Sequence, residues 1–236
     1  MKKNEVKKLI LIAKKRMSRS KDPIHDLAHV KRVVKYAKKF SKNAKLSEDE
    51  AMALELACFW HDVGRTVIKR PSIVIMSFID DTISACMLLK EAILTRSWSA
   101  SVRKAILLVL CNNAGFGPLF TKLLLSKQDR HLLNLLNDAD NFDLFNYHRM
   151  NRIVKLADKS FIFHYGYKLT AWWFFKLEKI RFKTQEAKKY FREVLKQLSQ
   201  WMMQDHIKKW HIETFGWDWC EKTLLRIHSL SCKYNY

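Results

Sequence analysis

Two histidines and two aspartates are the residues of this chain whose types could together bind a metal ion. They are His29, the adjacent pair His61 and Asp62, and Asp140. Two imidazoles and two carboxylates form a mixed nitrogen and oxygen ligand set, which suits a divalent ion such as Mn, Fe, Co, Ni or Mg better than zinc of the thiolate type. Four protein ligands on an octahedral ion leave about two positions for water and a substrate oxygen. The set therefore predicts a divalent metal ion at a site open to chemistry.

The apolar residues near these four predict that helices position them. A stripe at helical spacing follows His29, so His29 lies on or beside the buried face of a helix. A second stripe leads to His61, and Gly64 marks the end of that helix. At a helix end, the neighbouring side chains of His61 and Asp62 can both turn toward one ion. The stripes are Val33, Tyr36 and Phe40 after His29, and Leu54 and Cys58 before His61.

An alternative without metal is an ordinary helical core. A single histidine on an apolar face is commonly a core residue with a hydrogen-bond partner, and Asp62 could be a residue of a turn. Burial of a histidine and two aspartates without partners, however, costs several kcal/mol. A shared cation is the simplest arrangement that satisfies all of them. We therefore favour a metal site over an ordinary core and over a former site that has lost its metal.

The composition predicts an all-α protein. Of 236 residues only 5 are glycine and 3 are proline, so turns are few and helices long. Hydrophobic residues make up 48% of the chain, which excludes a mostly disordered protein. We expect a helical domain over residues 1–160 and a C-terminal helical extension over residues 161–236 that packs on it.

Helical periodicity and capping signals place the individual helices. Ser47 and Glu50 form a capping box at the start of the helix that leads to His61. The first helix is basic and amphipathic; its apolar stripe can lie on a membrane surface or pack on the domain, and we favour the domain. The predicted helices span about residues 2–19, 24–42, 73–95, 101–111, 127–137 and 138–160.

The cysteines and the hydropathy indicate a soluble protein of the cytoplasm. The five cysteines form no Cys-x-x-Cys pair, and their odd number and apolar neighbours favour reduced, mostly buried thiols. No apolar run approaches the length of about 18 residues that spans a bilayer, and the N-terminus lacks the features of a signal peptide. We expect no transmembrane segment.

The formal net charge of +21 has several interpretations. A basic surface attracts nucleic acid, an anionic membrane or small phosphorylated substrates. Alternatively the lysines are only solvated, since they are spread along the chain. Six of the eight tryptophans lie between Trp172 and Trp219 among lysines and arginines. Such a mixture can stack bases and bind phosphates, but apolar residues at near-helical spacing in the same region favour helices that pack in a core.

The segments around the four candidate ligands resemble the HD superfamily of metal-dependent phosphohydrolases. His29 stands in His-Val-Lys-Arg-Val, the doublet His61-Asp62 is followed by Val-Gly, and Asp140 stands in Asp-Ala-Asp. The resemblance covers roughly residues 20–160. It implies an HD-domain helical bundle in which these four residues hold the metal. It also implies hydrolysis of a phosphate ester or anhydride in a nucleotide-like or other small phosphorylated compound.

Four residues are our candidates for catalysis: His61, Asp62, Arg65 and Lys69. Asp62 or a neighbouring carboxylate would accept a proton from the attacking water. Arg65 and Lys69, or Arg149 further along the chain, would offset the charge of the phosphate, although the basic segment 65–70 could equally be a solvated loop. Asp138 and Asp143 flank Asp140, and we expect such carboxylates to orient histidines or lysines around the ion. His25 also matches the family pattern. Its role stays open: it could support the ligands from behind, contact a phosphate, or only form a turn.

The chain departs from the family at two places. Many members hold a second ion with histidines near Asp81 and in the segment that corresponds to Leu110–Asn113, and this chain has neither histidine. We therefore expect one ion. Arg65 stands where deoxynucleotidase members carry a catalytic glutamate, and arginine cannot serve as a base at neutral pH, which disfavours that activity. The alternative function is a catalytically reduced HD-fold module that binds nucleotide, RNA or an acidic partner; the oligomeric state stays open.

Overall fold

Within the residues that the structure describes, the regular structure consists of twelve α-helices and one short 3₁₀ helix, without a strand. The computed structural model describes residues 2–67, 73–112, 117–175 and 182–233. The prediction of an all-α fold is confirmed. No helix in these described ranges is long and apolar enough to cross a membrane.

The chain divides into two compact units, residues 1–143 and residues 144–236. This boundary precedes the expected division after residue 160, because helix α8 makes its contacts within the second unit. The packing of residues 161–236 on the first domain stays a prediction. The first unit contains α1 (Lys2–Met17), α2 (Leu27–Ser41), α3 (Glu48–Trp60), the 3₁₀ helix (Val63–Val67), α4 (Ile73–Leu94), α5 (Ala100–Asn112), α6 (Gly117–Leu124) and α7 (Lys127–Asp143). The second contains α8 (Tyr147–Lys159), α9 (Phe161–Phe174), α10 (Gln185–Met202), α11 (Asp205–Phe215) and α12 (Trp217–Lys233).

Side-chain caps fix where the helices that carry the site begin. The Asp26 side chain accepts the backbone N–H of His29 at 2.8 Å, so α2 starts at Leu27 and not near residue 24 as predicted. The predicted capping box is confirmed: the Ser47 side chain accepts the Glu50 N–H, and the Glu50 carboxylate accepts the Ser47 N–H. These caps stabilise the first turns of α2 and α3, whose residues lead to the two histidines.

Helix α7 continues through the break that was predicted between residues 137 and 138. The helix ends at Asp143, and the next one begins after Asn146, whose side chain accepts the backbone N–H groups of His148 and Arg149. The prediction of a break was wrong because the apolar stripe of the helix continues past it through Ala139 and Phe142. A single helix therefore carries Asp140 and Asp143 one turn apart.

Helix α3 lies in the centre of the first unit, where it contacts α1, α2, α5 and α7. Its last residue, Trp60, is fully buried, and its indole Nε1–H donates to the carbonyl oxygen of Leu9 at 3.1 Å. This bond ties the end of α3 to α1. The apolar stripe of α1 is buried, as expected for packing on the domain, and comprises Val6, Leu9, Ile10, Ala13 and Met17.

The second unit has a core of its own, rich in aromatic side chains. Trp201 of α10 is buried and donates its indole N–H to Asn151 Oδ1 of α8 at 2.8 Å. His211 of α11 is fully buried among aromatic rings, including Trp201 and Trp219. The predicted core-packing stripe is confirmed on α10, where Ala187, Val194, Leu198 and Trp201 are buried.

Candidate metal centre

His29 is oriented by a carboxylate on α7. Its Nδ1 lies 2.7 Å from Asp143 Oδ2, and both side chains are fully buried. Arg32 donates to the same carboxylate through Nε at 2.6 Å and Nη2 at 3.0 Å. Because Asp143 is an acceptor for Arg32, the proton of the neutral imidazole lies on Nδ1, and Nε2 presents a lone pair. Asp143 thus has the orienting role that we expected of a carboxylate beside Asp140.

His61 is oriented by the backbone of its own helix. It follows the last residue of α3, and its Nδ1 lies 2.8 Å from the carbonyl oxygen of Cys58. A carbonyl oxygen can only accept a hydrogen bond, so Nδ1 carries the proton here as well. The Nε2 atom of His61 is therefore also a lone-pair donor available to a metal.

A carboxylate oxygen of Asp62 and one of Asp140 each lie near both histidine Nε2 atoms. The Nε2 atoms of His29 and His61 lie 3.3 Å apart. Asp62 Oδ2 lies 3.0 Å from the first and 3.4 Å from the second. Asp140 Oδ1 lies 3.4 Å and 3.8 Å from the same two nitrogens. Atoms that share one ion at about 2.1 Å lie about 3.0–3.5 Å from each other in octahedral or tetrahedral arrangements. Four of the five spacings fit ligands of one cation, and the 3.8 Å between His61 Nε2 and Asp140 Oδ1 is longer.

The four side chains differ in how they are exposed. His29, His61 and Asp140 form a group that could hold a metal ion, since their ligand atoms all lie within 4.8 Å of one another. Asp62 is not part of that group, but its buried Oδ2 faces the same two nitrogens. The Asp140 side chain is 35% exposed, whereas that of His29 is fully buried. The centre is therefore enclosed on the histidine side and accessible beside Asp140.

The electrostatics of the centre favour a positive charge. Burial lowers the pKa of His61, but the carboxylates of Asp62 and Asp140 outweigh it, and the pKa is raised overall. Burial raises the pKa of Asp62, but His61, His25, His29 and Arg65 hold it well below its usual range. A carboxylate that stays ionised beside lone-pair nitrogens attracts a cation.

Arg65 is enclosed by three carboxylates. Its Nε donates to Asp62 Oδ1 at 3.3 Å, its Nη1 to Asp22 Oδ2 at 3.3 Å, and its Nη2 lies 2.5 Å from Asp80 Oδ2. The residue is only 4% exposed. This geometry positions Asp62, because Oδ1 is held by the guanidinium while Oδ2 faces the histidines. Charge compensation of a phosphate by Arg65 stays a prediction.

The carboxylate of Asp22 contacts both His25 and Arg65. Asp22 was not among the predicted site residues. Its Oδ2 lies 3.1 Å from His25 Nδ1, and its Oδ1 accepts the backbone N–H groups of Ile24 and His25. The His25 ring contacts that of His29 with centroids 5.5 Å apart. The three-residue spacing between Asp22 and His25 was the available signal. His25 thus lies behind the ligands, one of the roles left open for it.

Ser84 of α4 forms hydrogen bonds with the backbone next to the His61-Asp62 doublet. It too was not among the predicted site residues. Its hydroxyl donates to the carbonyl oxygen of His61 at 2.7 Å and accepts the backbone N–H of Gly64 at 2.7 Å. Gly64 lies so close to α4 that a Cβ atom there would be 2.3 Å from the carbonyl oxygen of Asp80. The glycine after the doublet therefore permits the close approach of the 3₁₀ helix to α4.

The remaining candidates lie around this centre or outside the described residues. Asp81 is buried, and Asn112 Nδ2 donates to its Oδ1 at 3.0 Å. Burial and the neighbouring Asp80 raise the pKa of Asp81 well above its usual range. Lys69 lies outside the described residues, and Arg149 is buried in the second unit.

The chain has no match among protein-family models, curated proteins or solved structures. The fold and the site define an all-α protein with a histidine and aspartate centre of metal-binding geometry. The resemblance to the HD superfamily rests on the motif residues and their order alone.

Proposed function

We propose that this protein is a metal-dependent hydrolase of a phosphate ester or anhydride, acting on a nucleotide-like or other small phosphorylated compound. The observation that carries the proposal is the convergence of His29 Nε2, His61 Nε2, Asp62 Oδ2 and Asp140 Oδ1 within 3.0–3.8 Å of the histidine nitrogens. The order of these residues along the chain and their helical context, as in the HD superfamily, support the same conclusion.

One divalent cation, of the Mn, Fe, Co, Ni or Mg type, fits the donor atoms present. The Nε2 atoms of the two imidazoles are 3.3 Å apart, so two neutral rings would place their lone pairs face to face, and a cation between them would offset the repulsion. The buried Asp62 Oδ2, which accepts no hydrogen bond, offers the compensating negative charge. A cation held there would act as a Lewis acid, which lowers the pKa of a water and polarises a phosphoryl oxygen.

The contacts of the individual residues indicate which role each would have in hydrolysis. Asp143 and the Cys58 carbonyl hold the two imidazoles with Nε2 toward the centre. Arg65 fixes Asp62, and Asp62 or Asp140 accepts a proton from the attacking water. Asp140 borders the accessible side, where a substrate oxygen would enter. Lys69 remains a proposed contact for the phosphate.

A metal analysis combined with a substrate screen tests this function. We expect the purified protein to carry about one equivalent of divalent metal. Incubation with a panel of nucleotides, sugar phosphates and phosphate anhydrides should release inorganic phosphate or a nucleoside product, and a chelator should abolish the release. Asp218→Ala, an exposed carboxylate in the second unit, is the matched control for substitution of Asp62. Metal-loaded protein that hydrolyses no member of the panel would contradict the enzymatic proposal.

The second candidate function is a binding module with reduced catalysis. The observation that favours it is Arg65, whose guanidinium is already engaged by Asp62, Asp22 and Asp80. Under this alternative the protein binds metal and a phosphorylated compound, RNA or an acidic partner, but turns nothing over. Saturable binding of nucleotide without product release would support it.

A further inference from the structure

One face of α9 is apolar and exposed. Phe161, Ile162, Tyr165 and Leu169 lie on this face and are called the α9 surface below. Their exposed fractions are 75%, 81%, 57% and 72%. Phe161 and Tyr165 are in ring contact, with centroids 4.5 Å apart. Soluble monomers rarely leave contiguous large apolar side chains this exposed without an interaction that covers them.

The opposite face of α9 is anchored in the core of the second unit. The Tyr167 hydroxyl bonds to His211 Nε2 at 2.8 Å, and Ala171 is buried. Tyr167 also packs against the rings of Trp210 and Phe215. The helix is thus apolar on both sides, with one side held by the core. A helix of this kind serves an interaction surface as well as a core.

The second unit, which contains the α9 surface, has an excess of positive charge. Residues 144–236 contain 18 lysines and arginines against 8 aspartates and glutamates. Lys159 is exposed two residues before Phe161, and Lys168 precedes Leu169 directly. Helix α9 itself contains no acidic residue. Apolar and aromatic side chains bordered by lysines match the boundary between acyl chains and anionic headgroups.

We propose that the α9 surface is a docking site for an anionic lipid membrane, in which Phe161, Ile162, Tyr165 and Leu169 enter the headgroup boundary and the nearby lysines contact anionic headgroups. The protein is then a peripheral membrane protein in addition to its proposed enzymatic role.

Charge and side-chain chemistry favour a lipid surface over other occupants. A second copy of the chain, related by two-fold symmetry, would place the lysines of both copies together, and like charges repel. Nucleic acid would be bound by stacking on aromatic rings, but Ile162 and Leu169 have no π face. Aliphatic and aromatic side chains together enter the interfacial region of a bilayer, where tyrosine is a common anchor.

Co-sedimentation with lipid vesicles tests the proposal. The 236-residue chain is mixed with vesicles of phosphatidylcholine alone or of equimolar phosphatidylcholine and phosphatidylserine. We expect binding to the anionic vesicles only, weakened by added salt. The double variant Phe161→Ser/Ile162→Ser should bind about tenfold more weakly or worse, since each removes a large apolar side chain from the boundary. Lys159→Glu should also weaken binding and reduce its salt dependence.

Two matched control variants distinguish binding through the α9 surface from nonspecific hydrophobic adsorption and from the overall charge of the chain. Leu225 of α12 is 69% exposed, and Leu225→Ser should bind vesicles as the wild type does. Lys188→Glu on α10 replaces an exposed lysine away from α9 and should have a smaller effect than Lys159→Glu. The proposal is overturned if the wild type ignores anionic vesicles or if Phe161→Ser/Ile162→Ser binds them unchanged. It is overturned equally if that variant instead dissociates a dimer of the chain in sedimentation analysis, which would assign the surface to self-association.

Discussion

The Nε2 atoms of His29 and His61 lie 3.3 Å apart, while the Nδ1 atom of each ring is held on the opposite side, by Asp143 and by the Cys58 carbonyl oxygen. When both imidazoles are neutral, two lone pairs face each other, and a positive charge between them stabilises the arrangement. The surrounding residues maintain the arrangement, because Asp143 and the Cys58 carbonyl fix the tautomers. The pair is therefore preorganised for a cation before the cation binds.

Removal of Asp62 should empty the centre. In Asp62→Ala the carboxylate oxygen beside both histidine nitrogens is lost, so we expect the content of divalent metal to fall from about one equivalent to nearly none. Elemental analysis of gently purified protein measures this, with Asp218→Ala as the control. Undiminished metal in Asp62→Ala would show that Asp62 is not a ligand.

Asp143→Asn should weaken metal binding although it leaves all four proposed ligand side chains unchanged. The amide keeps the shape of the carboxylate but loses its charge and one acceptor oxygen for His29 Nδ1 and Arg32. Metal affinity should decrease about 10–100-fold, the range typical of groups that orient metal-binding histidines. Isothermal titration with Mn²⁺ gives the affinity, and circular dichroism checks the fold. An affinity equal to that of the wild type would remove Asp143 from the metal centre.

Two glycine-to-alanine variants should change stability in opposite directions. A Cβ at Gly64 would lie 2.3 Å from a backbone oxygen of α4, so Gly64→Ala should lower the free energy of unfolding by about 2 kcal/mol or more. A Cβ at Gly166 would meet nothing within 4 Å, and Gly166→Ala within α9 should raise that free energy by up to about 1 kcal/mol. Urea denaturation compares the pair. Equal effects would contradict the close packing of Gly64 on α4.

The second unit should lose stability in mild acid through His211. Burial lowers the pKa of His211 from 6.5 to about 4, despite its hydrogen bond to the Ile207 carbonyl. Between these values the unfolded chain binds a proton that the folded chain refuses, so stability is present above pH 6.5 and is lost as the pH falls toward 4. The loss due to this group between pH 8 and pH 5 should be about 2 kcal/mol.

The variant His211→Gln isolates that contribution. Glutamine does not titrate, so the free energy of unfolding of the variant should depend less on pH over the same interval than that of the wild type. Tryptophan fluorescence during urea denaturation reports the transition, because Trp201, Trp210 and Trp219 surround the site. Parallel pH profiles for the two proteins would exclude His211 as the source.

Local patterns in the sequence predicted most of the helices, and they singled out the two histidines and Asp140 that the structure brings together. Periodicity and the capping box of Ser47 and Glu50 identified α3, because both signals act between residues a few positions apart. The end of α7 was missed, since an aspartate-rich segment resembles a cap although the apolar stripe continues through it. The next helix, α8, has Asn146 as its N-cap. This is one polar residue among several, and its capping role is recognised only once the backbone is known.

The supporting residues of the centre were less accessible to prediction. Asp22 meets Arg65 across 43 positions, and Ser84 reaches His61 across 23. No periodicity links such pairs, because their proximity depends on how whole helices pack. The function of Arg65 in particular could not be inferred from its type, since a cation next to a metal doublet suggests a phosphate contact until its three carboxylate partners are known.

The enclosure of Arg65 also limits how this site can evolve. Replacement by glutamate would place a fourth carboxylate among Asp22, Asp62 and Asp80 and would remove the cation that holds them together. Uncompensated buried charges of this number would destabilise the fold strongly. We therefore expect glutamate at position 65 to require neutral residues at positions 22 or 80 as well. In energetic terms the effects of substitutions at positions 22, 65 and 80 should be strongly non-additive, because the three side chains share one buried charge network.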